Sequence, residues 1–145
     1  MTEEISIKFN QSFHKKTSPE NWNKIIKATT KDIALDLEKE LKKTKFKKPT
    51  GNLNRNHHAV VNGFQAEIKN RTKYWGYPNY GTKAHDITPK NKNALYWKGA
   101  KHPVSLVHHP GIKPMKFTTK AINRYMNSKK HVKSLQKNMK SHGVV

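Results

Sequence analysis

The sequence predicts an α+β fold: an antiparallel sheet of about five or six strands, with a long amino-terminal helix and a carboxy-terminal helix packed on one face. Three observations carry this. Trp22, Ile25, Ile26, Thr29, Ile33, Leu37 and Leu41 recur at three and four residues, an apolar stripe of helical period. Several short stretches alternate apolar with polar residues and are closed by Gly, Pro or Asn. Between Tyr74 and Ala121, turn signals are set among aromatics and end on His109-Pro110-Gly111, ahead of a second helical pattern.

Taken in order, Glu4 to Phe9 alternates as a half-buried strand, with Ile5, Ile7 and Phe9 on one side. Ser18-Pro19 opens the long helix, since Ser caps free amides and Pro suits the first helical position. Glu38 and Lys42 can pair across one turn. The basic run Lys42 to Lys48 suits the negative end of the helix dipole, and Pro49-Thr50-Gly51 ends the element. Asn52 to Asn56 reads as a polar link. His57–Val61 and Phe64–Asn70 flank Asn62-Gly63, a strong hairpin signal because both turn residues accept positive φ. Tyr74 to Tyr80 reads as a short helical turn or packed loop. Ala84–Thr88 and Ala94–Lys98 suggest a second hairpin across Pro89–Asn93, and Val104–His108 a last strand. Pro114 should start the second helix, with Phe117, Ala121, Ile122 and Tyr125 inward. Residues 1–127 read as one domain. Residues 128–145 read as a basic extension, helical or mobile, with Val132, Leu135 and Met139 at helical spacing.

At 145 residues the chain suits one domain, and its 33% apolar content implies a lean core or one shared with other subunits. The net charge is +21, from 30 Lys and Arg against 9 Asp and Glu. After Asp86 there are thirteen basic residues and no acid. Such a surplus points to a polyanion or an acidic protein surface as partner. The absence of cysteine excludes a disulfide framework and a thiolate zinc site. No apolar run has transmembrane length, and Met1 to Ser6 does not read as a signal peptide.

Nine histidines invite a metal or catalytic role. Yet His57-His58 and His108-His109 are adjacent pairs, and strand neighbours point to opposite faces. Few carboxylates are available to complete a hard-metal site. No cofactor and no metal are expected. Tyr74, Trp75, Tyr77, Tyr80, Tyr96 and Trp97 cluster with Gly and Pro, which favours a core or subunit interface over base stacking. Helix period places Lys116, Lys120, Arg124 and Lys130 on one side of the second helix. With Lys129, Lys133, Lys137 and Lys140 they are the candidate contacts to DNA or a protein partner.

Tyr80-Gly81-Thr82, His85-Asp86-Ile87-Thr88-Pro89 and His109-Pro110-Gly111, preceded by Thr50-Gly51-Asn52-Leu53, resemble in order and spacing the small neck, or tail-completion, proteins of long-tailed bacterial viruses, their minor tail components. The resemblance spans roughly Thr50 to Ala121. Asn79 stands where the family usually has an acidic residue. The resemblance implies an amino-terminal helix against an antiparallel sheet, and a non-enzymatic virion protein of the head–tail junction. It would be a ring subunit around or beside the DNA channel, assembled in the host cytoplasm. Its implied partners are other copies of itself, head-closure or connector and tail proteins, and genomic DNA bound without sequence preference. Gly51, Tyr80, Gly81, Thr82, His109, Pro110 and Gly111 would be its structural turn and interface residues. A different class, resting on charge alone, is a cytoplasmic nucleic-acid-binding protein or toxin-like ribonuclease drafting His85, His109, Arg124 and Tyr125.

Overall fold

A computed structural model of the chain describes residues 18–46 and 51–144. The expected strand Glu4–Phe9 and the terminating Pro49-Thr50 lie outside the described residues. The chain forms two compact units: one from residues up to Trp75 together with those from Phe117 onward, the other Gly76–Lys116.

The first unit is organised on helix α1, Pro19–Lys42. Ser18 is extended (φ −64°, ψ 146°), and its side chain accepts a hydrogen bond from the Asn21 amide at 3.3 Å. Ser18→Ala should cost about 1 kcal/mol, read as a lower thermal midpoint, as for other lost caps. The whole predicted stripe is buried, Ile25 completely. The helix ends at Lys42, before most of the basic run. Residues Asn52–Arg55, expected as a link, form a short helix α2 whose Leu53 is buried.

Strands β1 (His57–Asn62) and β2 (Gln65–Asn70) form the expected hairpin. Its turn lies one residue later than the sequence suggests: Asn62 pairs with Gln65, leaving Gly63-Phe64 as the loop. Gly63 has φ +61° and Asn62 is not at positive φ, so this is the glycine-first hairpin turn rather than the Asn-Gly one. Ala66 and Ile68 are buried. Glu38 ties α1 to this hairpin, accepting from the Ala59 amide at 2.8 Å while also pairing with Lys42. Burial would raise its pKa, but these hydrogen bonds and the Lys42 charge outweigh it and hold the carboxyl below its usual range.

Helix α4 spans Phe117–Asn127 and α5 spans Lys130–Ser141. Phe117, Ala121 and Tyr125 are buried, and the Phe117 ring meets Phe46 edge-on at 5.4 Å. Helix α5 runs antiparallel to α1. The buried Asn138 amide donates to Thr29 Oγ1 and Asp32 Oδ2, both at 3.1 Å, and Asn21 Nδ2 donates to the His142 carbonyl at 3.0 Å. Polar anchors take much of the role that a larger apolar face would otherwise play.

The second unit holds helix α3 (Gly76–Tyr80) and a ribbon of β3 (His85–Ile87) and β4 (Val107–His109). The expected sheet of five or six strands is therefore corrected: the described residues contain two separate two-stranded sheets. The hairpin of Ala84–Thr88 with Ala94–Lys98 does not form. Strand β3 pairs instead with β4, and Leu95 makes an isolated bridge to Val104. The distant partner has a physical advantage, since it continues the ribbon through the Thr82–Ile112 bridge. Helix α4 starts at Phe117, not Pro114, because the Met115 and Lys116 amides donate to the Pro78 and Asn79 carbonyls at 2.9 and 3.0 Å, with Lys116 at φ +50°. Those residues close the end of α3 and so are unavailable to open α4.

Candidate functional site

Every acid among the described residues lies within 4.0 Å of a basic side chain of the same chain. Glu20 pairs with Lys24, Asp32 with Lys137, Asp36 with Lys39, Glu38 with Lys42, Glu67 with Lys69, and Asp86 with His108. Glu40 takes both Lys43, at 2.7 Å, and Arg124, at 3.5 Å. The Lys43 hydrogen bond is the main reason its carboxyl lies below the usual range. Glu40 is buried; the exposed pairs stabilise little, but they use up the acids. The other described lysines are exposed, and every described carboxylate is already paired.

Of the candidate contacts, Lys116 precedes α4 and Lys120 and Arg124 lie on it. Lys129, at φ +55°, stands at the break between α4 and α5, and Lys130 lies on α5, so Lys116 and Lys130 are not on the face of one helix as the period suggested. Arg124 and Lys137 pair with Glu40 and Asp32, at 3.5 and 4.0 Å, and remain exposed. Lys130, Lys133, Lys137 and Lys140 are spaced three, four and three apart on α5, a single basic stripe of exposed residues. All four are among the candidate contacts named from the sequence.

In the second unit, Gly81 follows α3 at φ +78°, and Gly111 follows His109-Pro110 at φ +85°. They flank the Thr82–Ile112 bridge, closed by amide-to-carbonyl bonds of 2.9 and 3.0 Å. Tyr80 is exposed and Pro110 lies beside β4. Gly51, at φ +73°, precedes α2 in the first unit. His109 Nδ1 accepts from the Gly111 amide at 3.0 Å, and its ring stacks on that of His85 at 5.0 Å. Thr82, Lys83, His85, Ile87, His109 and Ile112, with Tyr77 and Ala84, line a cleft of about 540 Å³.

The residues drafted for a nuclease do not form a set. Tyr125 is buried, burial and then the nearby Asp36 and Asp32 push its hydroxyl up to about 12, and Arg124 serves Glu40. Among the described residues no three His, Asp or Glu side chains are grouped to hold a metal ion. No helix among them is long and apolar enough to cross a membrane.

These features define a small, basic α+β protein. Residues 7–81 match the family HK97-gp10-like, described as "Bacteriophage HK97-gp10, putative tail-component". The chain belongs to this family of phage tail components, which implies a structural role in the virion. The match takes in α1, the β1–β2 hairpin and α3, and ends at Gly81; the His109-Pro110-Gly111 turn lies beyond it. Searches of curated proteins and of solved structures gave no match.

Proposed function

We propose that this protein is a non-enzymatic subunit of the phage head–tail junction, a neck or tail-completion protein that assembles with copies of itself as a ring around or beside the DNA channel. The family match over residues 7–81 carries the reading. It is supported by the basic stripe on α5, which would repeat in every subunit of a ring and so requires a polyanion or an acidic neighbouring ring to offset like-charge repulsion. Head-closure or connector and tail proteins are the neighbours such a subunit would join, and virion neck or tail its location.

Phage lacking this gene product should yield filled heads and separate tails by electron microscopy. Joined, infectious particles at normal yield would overturn the junction role. The purified protein should leave RNA and DNA uncut with or without divalent metal; cleavage lost in His85→Ala or His109→Ala would reopen the ribonuclease reading. For DNA contact, duplex binding should be weak, indifferent to sequence and strongly salt-dependent. Deleting everything after Asn127 would strip α5 from α1, so point substitutions are the cleaner test. Lys130→Gln, Lys133→Gln and Lys140→Gln together should reduce the slope of log affinity against log salt by about 3, roughly one per phosphate contact. An unchanged slope would remove this stripe from the DNA-facing surface.

A further inference from the structure

We infer that the Gly76–Lys116 unit is a docking module for an extended, acidic segment of a protein partner, one that alternates carboxylates with aliphatic side chains. The inference does not depend on the ring or the channel. In this unit no apolar side chain is buried; its one buried residue is Asn79. Tyr77, Tyr96, Trp97 and Leu106 are each more than half exposed, at 58, 69, 51 and 53%. A unit of this size without disulfide or metal falls near the limit below which a chain needs association to be stable. A two-stranded ribbon is likewise marginal in water. Strands β3 and β4 pair with no other strand among the described residues, so no third described strand occupies either outer edge of the ribbon.

Charge selects the occupant. The unit carries seven lysines and one acid, Asp86, which His108 holds at 2.7 Å. Two such units facing each other would repel, which argues against a second copy on this face. The cleft lining separates protein from nucleic acid: Ala84, Ile87 and Ile112 offer aliphatic surface beside Lys83, where a phosphate backbone has nothing apolar to bury. A segment added to the ribbon presents alternate side chains to opposite faces. Its aliphatic side chains would enter the cleft while its carboxylates meet the lysines.

The test uses the full chain and a fluorescent peptide of about ten residues alternating Glu and Leu, with an alternating Glu and Gly peptide as control. The Glu-Leu peptide should bind at least tenfold more tightly than the control. Lys83→Glu, and separately Ile87→Ser with Ile112→Ser, should each weaken it tenfold or more, with far-UV circular dichroism unchanged. Ile87 and Ile112 are partly exposed, so the serine variants retain the fold; Lys83→Glu provides an independent variant if they do not. Equal binding of both peptides, no binding, or serine variants that bind like the parent would overturn the inference. So would duplex DNA that displaces the peptide and loses affinity in the same variants. Failure here leaves the virion phenotype of the gene deletion untouched, and the reverse also holds.

Discussion

Gly81→Ala and Gly111→Ala are each expected to open the Gly76–Lys116 unit while leaving the α1-based unit folded. A Cβ at Gly81 would stand 2.4 Å from the Ile112 carbonyl oxygen and 2.9 Å from the Pro114 nitrogen. One at Gly111 would stand 2.3 Å from the Thr82 carbonyl oxygen and 2.8 Å from the Lys83 carbonyl carbon. All four are backbone atoms, which cannot swing aside as a long side chain can. Both positions also have positive φ, itself costing an alanine on the order of 1 kcal/mol or more. Strain and displaced backbone together should reach about 3 kcal/mol or more, against a unit with no buried apolar side chain to resist it. Hydrogen exchange should show the Thr82 and Ile112 amides losing protection, with those of α1 unchanged. Gly99→Ala is the control, because at φ +99° its Cβ would meet nothing within 4 Å. Protection equal to the parent's in Gly81→Ala would show that the two strands do not approach as closely as described.

The second large effect is on pH dependence, through His57. This side chain is buried on β1, and its Nδ1 faces the Asn70 amide nitrogen at 3.2 Å, which also donates to the Leu53 carbonyl at 2.8 Å. A neutral ring accepts that bond; a protonated one cannot. Burial, with the Lys42 charge adding to it and Glu38 opposing it, pushes its pKa down from 6.5 to about 4. The unfolded chain therefore takes up a proton near pH 6.5 that the folded chain refuses until about pH 4. Stability is full above that window and falls as pH drops through it, by about 2 kcal/mol between pH 7 and 5. His57→Gln keeps an acceptor and removes the titration, so its denaturant midpoint should change much less over that range. Parallel losses in parent and variant would assign the acid sensitivity to other groups.

Local signals are legible in the sequence and long-range ones are not. Helix α1 announces itself through Ser18, Pro19 and the stripe from Trp22 to Leu41, all of which act within one or two turns. Helix α5 is legible from Val132, Leu135 and Met139, although what holds it, Asn138 against Thr29 and Asp32, joins residues over a hundred positions apart. The pairing of His85–Ile87 with Val107–His109 is missed for the same reason. A local partner across Pro89–Asn93 looks better by spacing, and nothing nearby reveals that Gly81 and Gly111 let two distant strands meet. Pro114 misleads because the amides after it serve α3, a contact invisible along the chain. For the candidate site, the positive surplus was plain in composition. The pairing of Glu40 with Arg124 and Asp32 with Lys137 was not. The motifs that carry the family resemblance run from Thr50 to Ala121, whereas the match covers residues 7–81 and reaches back through α1.

The first unit is assembled from both flanks of the sequence, with Gly76–Lys116 lying between them. On the ribosome this sets an order of events. Helix α1 and its hairpin emerge early, but Phe117, Ala121 and Tyr125 arrive about 75 residues after Lys42, a delay of roughly 4 to 15 seconds at ordinary elongation rates. Throughout it the apolar stripe from Trp22 to Leu41 lacks α4 and α5. The nascent chain is thus a natural client for chaperones that recognise helical apolar surface, and slowing translation after Lys116 should prolong that association.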